Sequence, residues 1–235
     1  MRKYGFDNDF GTSFSHGIRF LEFPQFDYGQ EIIESKLIPG RAGTLSVRTG
    51  KYTDTTIKCV LEFVSEAVED FGEKLDTIKK WLMMSKRISF TDNEDSFWVV
   101  KKVDLNEIKR KYGFFGNVTV VFTCETFSHL NSGNYELPIE GVKKLYNKGV
   151  FSQPIYKITG EGVCTLLVND KSMIANVSGN IVIDTELMLA YREDGTSQNT
   201  AVKGNYEDLY LQEGDNVITV SEGFECKVIP RWRCL

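Results

Sequence analysis

Asp54-Thr55-Thr56-Ile57-Lys58-Cys59-Val60-Leu61-Glu62-Phe63-Val64 is the stretch on which the first half of the chain turns. Ile57, Cys59, Leu61 and Phe63 alternate with Lys58 and Glu62, and a period of two places the apolar set on one face of a β-strand. Directly downstream the period changes. Val68, Phe71, Leu75, Ile78 and Leu82 recur at steps of three and four, and Trp81 widens the stripe, so an amphipathic helix follows the strand. Ser65 is its predicted N-cap, Glu66, Glu69 and Asp70 load its first turns, and Lys79, Lys80 and Lys86 suit the negative end of the helix dipole. A one-faced strand beside a one-faced helix implies a helix lying on a sheet.

Strand patterns surround this unit. Upstream, Tyr4, Phe6, Phe10, Phe14, Phe20, Phe23, Phe26 and Tyr28 are interrupted by Gly5, Gly11 and Gly17, a texture of short strands and turns, and residues 30–38 form a further candidate strand. Downstream, strands are predicted over 87–91 and 97–103 around the acidic turn Asp92-Asn93-Glu94-Asp95. Another is predicted over 117–125, reached through a basic connection containing Lys109-Arg110-Lys111. Strands, one helix, then strands describe a compact α+β unit built on an antiparallel sheet or split barrel.

The texture changes at His129-Leu130-Asn131-Ser132-Gly133-Asn134, a polar, turn-rich stretch that marks a domain boundary, giving domains 1–133 and 134–235. Beyond it no helical period survives. Strands are expected over 155–159, 163–168, 179–184, 187–192, 208–212, 216–220 and 224–230. Turns at Gly160-Glu161-Gly162, Asn169-Asp170, Asp194-Gly195 and Gly214-Asp215-Asn216 separate most of them, which is the pattern of a β-sandwich. The whole is therefore mainly β. A length of 235 residues accommodates two domains of about 100 to 150 residues each.

Composition narrows the chemistry. A net charge of −5 gives no general attraction to nucleic acid or anionic lipid. No apolar run approaches the roughly 18 to 20 residues that cross a bilayer. Met1-Arg2-Lys3 mimics the start of a signal peptide, but Tyr4-Gly5-Phe6-Asp7-Asn8-Asp9 follows where an apolar segment belongs, so synthesis and retention in the cytoplasm are expected. Cys59, Cys124, Cys164, Cys226 and Cys234 are odd in number and none form a Cys-x-x-Cys pair, and Cys59 and Cys124 share strand faces with apolar residues, as core thiols do.

Catalytic groups are scarce. The chain has two histidines, His16 and His129, both in polar, loop-like surroundings and away from any Gly-x-Ser-x-Gly elbow. Gly160-x-Gly162 has Thr165 where a third glycine belongs, and Gly50-Lys51 lacks the upstream glycine and the following Ser or Thr of a phosphate loop. Asp92, Glu94 and Asp95 lack the central glycine and terminal Glu of a calcium loop. No catalytic residue, metal or cofactor is expected.

Two segments are candidates for contact. In Ile38-Pro39-Gly40-Arg41-Ala42-Gly43-Thr44-Leu45, Pro39 fixes one φ while Gly40 and Gly43 permit left-handed geometry, so a tight turn presents Arg41, either to a neighbouring subunit or to solvent. Residues 101–111 hold Lys101, Lys102, Lys109, Arg110 and Lys111 against Asp104 and Glu107, next to Tyr112, Phe114 and Phe115. That segment reads as a nucleic-acid contact, a solvated hairpin or, the reading preferred here, an arm gripping an acidic neighbour.

The Pro39-Gly40-Arg41 turn, the helix ending in Trp81-Leu82, and Phe122-Thr123-Cys124 resemble the first domain of siphophage distal tail proteins. Asn147-Lys148-Gly149, Pro154-Ile155-Tyr156-Lys157-Ile158, Leu167-Val168-Asn169, Ile183-Asp184 and Gly214-Asp215-Asn216 resemble the galectin-like sandwich behind it in many members of that family. The resemblance implies a structural virion protein of the tail tip or baseplate, whose first domains form a hexameric ring joining the tail tube protein to the tail-tip protein. It further implies that the outer sandwich docks receptor-binding components, with no nucleic-acid specificity and no membrane partner. Pro39, Gly40, Arg41, Gly43, Lys109, Arg110 and Lys111 are the expected interface residues. The alternative is a carbohydrate-binding module, with Tyr191, Tyr206, Tyr210 and Trp232 as candidate contacts, although the galectin sugar motif His-x-Asn-Pro-Arg is missing from a half that lacks His after residue 129.

Overall fold

The computed structural model describes residues 4–40 and 42–235, so Arg41 lies outside the described residues. The chain divides into two compact units, one ending at Ser128 and the other running from His129 to Leu235.

The first unit contains β1 (Phe6–Asn8), β2 (Gly11–Thr12), β3 (Ile18–Asp27), β4 (Glu31–Leu37), β5 (Thr44–Tyr52), β6 (Thr55–Val64), α1 (Phe71–Met83), β7 (Arg87–Phe90), β8 (Asn93–Tyr112) and β9 (Phe115–Cys124). An antiparallel sheet runs in the order β2-β1-β7-β8-β9-β6-β3, while β4 and β5 pair only with each other. The sheet curls until its two ends meet. Tyr4, just before β1, lies 5.2 Å from Phe20 and 5.0 Å from Phe23 of β3, ring centre to ring centre, although β1 and β3 are far apart in the strand order. The unit is a nearly closed antiparallel barrel with one helix packed on it.

β6 follows its alternation: Ile57, Cys59, Leu61 and Phe63 are buried and Lys58 is exposed. Across from it Val118, Val120, Phe122 and Cys124 of β9 complete the same inner face. Phe6 sits at the centre, with Trp81 at 5.1 Å, Phe20 at 5.7 Å and Phe122 at 5.8 Å. The helix starts later than Ser65 predicts. Asp70 holds the N-cap position, Val68 stays 50% exposed, and Ser65 Oγ instead donates to the Ala67 carbonyl at 2.7 Å, closing a turn before the helix. Phe71, Ile78, Trp81 and Leu82 form its buried stripe. Its far end is tied down by Asn8, whose Nδ2 donates to the Trp81 carbonyl (3.0 Å) and to Ser85 Oγ (2.8 Å).

β8 departs most from the sequence reading. Phe90 pairs with Asn93, so the turn is Thr91-Asp92 and Asn93, Glu94 and Asp95 belong to the strand. The expected basic connection is likewise strand: β8 continues unbroken for 20 residues through Lys109-Arg110-Lys111. Its pairing with β9 shifts register between Val100 and Lys102, between Leu105 and Glu107, and between Arg110 and Tyr112. Each β-bulge inserts one residue and exchanges inward and outward positions, which erases the period of two from the sequence while bending the strand around the barrel.

The second unit contains β10 (Ser128–Leu130), β11 (Leu137–Ile139), β12 (Val142–Asn147), β13 (Ile155–Val168), β14 (Lys171–Asp184), β15 (Leu189–Tyr191), β16 (Val202–Lys203), β17 (Gly214–Val220), β18 (Glu225–Ile229) and β19 (Arg233–Cys234). It is a β-sandwich built on one long hairpin. The first part of β13 pairs with β18 and its last part with β17, so the β13–β14 hairpin passes from one layer to the other. Gly160, paired with Gly179, is the crossing point. Both have positive φ (152° and 83°), and the Phe224 ring packs where a Gly160 side chain would stand. Gly160-Glu161-Gly162 is therefore a bend inside one strand and not the expected turn between two. Asn169-Asp170 is the tight turn of that hairpin, with Asn169 at φ 53°. Residues 206–209 form a short 3-10 helix in place of the expected strand over 208–212.

Tyr156, Ile158, Leu166, Met173, Ile183 and Val228 are among the buried residues between the layers. The asparagines of the quoted motifs hold turns. Asn216 Nδ2 donates to the carbonyls of Gln212 (2.8 Å) and Gly214 (3.0 Å), and its Oδ1 accepts from Gln212 N (2.8 Å). Asn147 likewise bridges Val150 O (2.7 Å) and Gly149 N (3.0 Å). Arg231 secures the C-terminal segment by donating to both carboxylate oxygens of Asp184 (2.9 and 3.1 Å), whose side chain is only 2% exposed. Replacing Arg231 by Ala leaves that carboxylate buried without its counter-ion, and urea unfolding of the variant should show a loss of about 3 to 5 kcal/mol.

Candidate functional site

The hairpin β4–β5 stands out from the rest of the first unit, held at its base by Tyr52, whose ring meets Phe127 edge-on at 5.2 Å. Leu37 pairs with Thr44, so residues 38–43 form its loop, with Gly40 at φ 81° and Gly43 at φ 87°. Both glycines take the left-handed geometry expected of them, and no described atom lies within 4 Å of where a side chain would begin at either. Pro39 is exposed there. The strands are exposed on both faces: cross-strand register puts Ile33 and Leu37 on one face, and Val47 and Leu45 on the other. Ile33 is 52% and Leu37 84% exposed, with Ile32, Ile38 and Val47 also open. Two ion pairs, Arg48–Glu31 at 3.6 Å and Lys36–Glu34 at 3.8 Å, lie on this exposed ribbon and contribute little. The doublets Ile32-Ile33 and Leu37-Ile38 are the sequence signal for a strand apolar on both faces, and the sequence reading passed over them.

Lys109, Arg110 and Lys111 sit near the end of β8, and their roles differ. Arg110 folds back on its own unit: Nη2 donates to the Val68 carbonyl at 3.0 Å, Nε donates to the Gly113 carbonyl at 2.8 Å, and the guanidinium lies 4.3 Å from the Phe71 ring centre. It braces the approach to α1. Lys109 pairs with Glu107 at 2.8 Å, Lys101 with Asp54 at 2.6 Å and Lys102 with Asp104 at 2.8 Å, so the basic run is largely matched by local carboxylates. Beside it, Tyr112, Phe114 and Phe115 form an exposed aromatic tip, with Phe114 and Phe115 at 4.8 Å and Tyr112 and Phe115 at 6.4 Å.

A depression of about 530 Å³ lies on the outer face of the sheet, lined by Leu21, Lys58, Asn106, Lys109, Lys111 and Asn117 among others. It offers donors and acceptors for a polar partner, but its lining has no nucleophile set beside a base. His16 packs on Trp81 with ring centres 4.6 Å apart, and burial followed by the nearby Lys74 charge lowers its pKa. His129 is buried and not in the open loop expected of it. Burial drives the Cys59 thiol far up and the Cys124 thiol to about 12, the opposite of what a reactive thiol needs.

Three of the four aromatic candidates of the second unit are engaged in packing. Tyr206 and Trp232 lie against its core, and Tyr210 stacks on Phe151 at 6.0 Å with its hydroxyl accepting from Gln153 Nε2 at 3.0 Å. Tyr191 pairs with Val182 at the end of β15. No contact joins Tyr191 to the other three among the described interactions.

No protein-family model matches the chain, and no curated protein matches it significantly. Among solved structures, SPP1 Dit (gp 19.1), a hub adsorption apparatus protein of phages that infect Gram-positive bacteria, aligns with a TM-score of 0.68. The alignment covers 97% of this chain and 98% of that one at 10% sequence identity. The chain shares that fold over nearly its whole length. A chain of the phage P2 baseplate in its activated conformation aligns over 97% of both chains at 13% identity, with a TM-score of 0.46.

Arg110→Ala should lower unfolding stability by about 1 to 3 kcal/mol through its lost carbonyl bonds and ring contact, whereas Lys111→Ala should change it by less than about 0.5 kcal/mol. Thermal melts of the two variants check this. Cys59 and Cys124 should not react with a thiol reagent at pH 8 in the native protein and should react fully in urea, because their thiolates are suppressed only while buried.

Proposed function

We propose that the protein is a structural component of a siphophage tail tip: a distal tail hub whose first units form a hexameric ring between the tail tube and the tail-tip protein. The observation that carries this reading is the likeness to SPP1 Dit across both units, at 97% coverage of this chain. The motifs quoted from the sequence occur in both units and in the same order as in the family they resemble. The galectin-like sandwich of the resemblance corresponds to the second unit, which faces outward as a dock for receptor-binding components. The role is assembly and not catalysis.

The physical support lies in the hairpin β4–β5. A two-stranded ribbon open on both faces is marginal by itself, and full burial of Leu37, 84% exposed, gains about 1.5 to 3 kcal/mol, with about half of that from the half-exposed Ile33. Such a ribbon suits contact with another copy, and repeated contacts of one kind between identical chains generate a closed ring. Arg110 bonds to carbonyls of its own unit and so acts first as a brace there. Pro39, Gly40 and Gly43 shape the tip of that hairpin.

Replacing residues 32–51 by a short glycine-serine turn joining Glu31 to Tyr52, which keeps the Tyr52 ring on Phe127, should abolish rings in negative-stain images. The melting temperature should stay within a few degrees, because the barrel core has no residue in the hairpin. Rings that persist in this variant would remove the hairpin from the assembly.

A further inference from the structure

The hairpin and the aromatic tip lie at opposite ends of one strand. The hairpin leaves the sheet where β6 begins, with Gly29 N donating to Thr55 Oγ1 at 2.9 Å. The tip lies where β6 ends, with Val64 paired to Phe115. Nine residue steps at about 3.3 Å separate them by about 30 Å. Within a single copy both keep large exposed side chains, with Arg48 80% exposed beside its loose 3.6 Å pairing to Glu31.

Their chemistry is complementary. At the tip, Val68 (50% exposed), Tyr112 (73%), Phe114 and Phe115 form one apolar patch. It is continuous, since Ser65 N donates to the Phe114 carbonyl at 2.9 Å and Val68 Cγ2 lies 2.9 Å from where a Gly113 side chain would begin. Glu66, Glu69 and Asp70 flank Val68 on the same segment, are exposed, and make no ion pair among the described residues. The hairpin holds the matching set. Its register places Ile33 opposite Arg48 and Leu37 opposite Thr44, so one face carries two open aliphatic side chains and a guanidinium. In sequence, residues 31–52 carry Lys36, Arg41, Arg48 and Lys51 against Glu31 and Glu34.

We propose that the hairpin of one copy lays its Ile33, Leu37 and Arg48 face on the Val68, Tyr112, Phe114 and Phe115 patch of the next copy, with Arg48 meeting Glu66 and Glu69. The proposal rests on the ring reading above and assigns its contact. Donor and acceptor surfaces differ and sit at opposite ends of the barrel, so the contact is heterologous, and each copy gives one hairpin and receives one. Aliphatic side chains on an aromatic patch supply the buried area, and the charges at its edge set the register.

The test uses the full chain carrying Leu37→Cys and Tyr112→Cys together, both at exposed positions. Mild oxidation should give a ladder of disulfide-linked species up to six chains on a non-reducing gel, and neither single variant should give one. In parallel, Arg48→Glu should raise the concentration needed for half-assembly about tenfold or more, as should Glu66→Lys with Glu69→Lys. Combining all three reversals in one chain should bring it back to within about threefold of the unmodified protein. Unmodified rings with no ladder and no response to charge reversal would overturn the contact while leaving the ring intact. A chain that stays monomeric at every concentration would overturn both.

Discussion

The first unit depends on the bending of β8. A strand of 20 residues would extend about 65 Å if straight, well beyond the reach of β9, its 10-residue partner. Three bulges turn that length into curvature, so that β8 pairs with β7 at its start and with β9 to its end. The curvature brings Tyr4 onto Phe20 and Phe23 and closes the barrel over Phe6 and α1. It also carries Tyr112, Phe114 and Phe115 out to the approach of α1, where Arg110 locks the tip by its bonds to Val68 and Gly113. The exposed aromatic patch is thus a product of the same bulges that build the core.

A second constraint is energetic. Each unit has a sealed core of its own: Phe6, Ile57 and Phe122 in one and Tyr156, Ile158 and Val228 in the other have no exposure. The hairpin β4–β5 takes part in neither core. Its aliphatic residues stay exposed in the single copy, which is what the proposed contact with another chain would bury, and Gly40 and Gly43 bend its tip where no described atom lies within 4 Å of an added side chain. The core residues and the hairpin residues of the proposed contact are different sets, so stability and assembly can be perturbed separately.

Much of this was legible in the sequence. Ile57, Cys59, Leu61 and Phe63 gave the inner face of β6, the three-and-four spacing gave α1, and Asn169-Asp170 gave the long hairpin turn of the sandwich. Each failure has a local cause. Bulges at Lys101, Asn106 and Lys111 scrambled the alternation of β8, so its basic end read as a connection. Gly160 and Gly162 read as a turn because positive φ occurs far more often in turns than at a bend inside a strand. Ser65 had the right chemistry for a helix cap, but its hydroxyl closed a turn one step earlier. For the candidate site, the glycine-shaped tip was visible and the apolar character of its strands was not, because doublets such as Ile32-Ile33 fit neither a one-faced strand nor a helix. Arg110 stood out by charge, yet charge alone could not reveal that the Val68 and Gly113 carbonyls hold it.

The central claim is that this chain closes into a ring of six through its first unit. The mass of the purified protein, measured by light scattering across a range of concentrations with images of the same samples, tests it most directly. The account predicts a species of six times the 26.8 kDa chain mass that appears as a ring with a central hole. A single 26.8 kDa species at every concentration, with no rings, would contradict it.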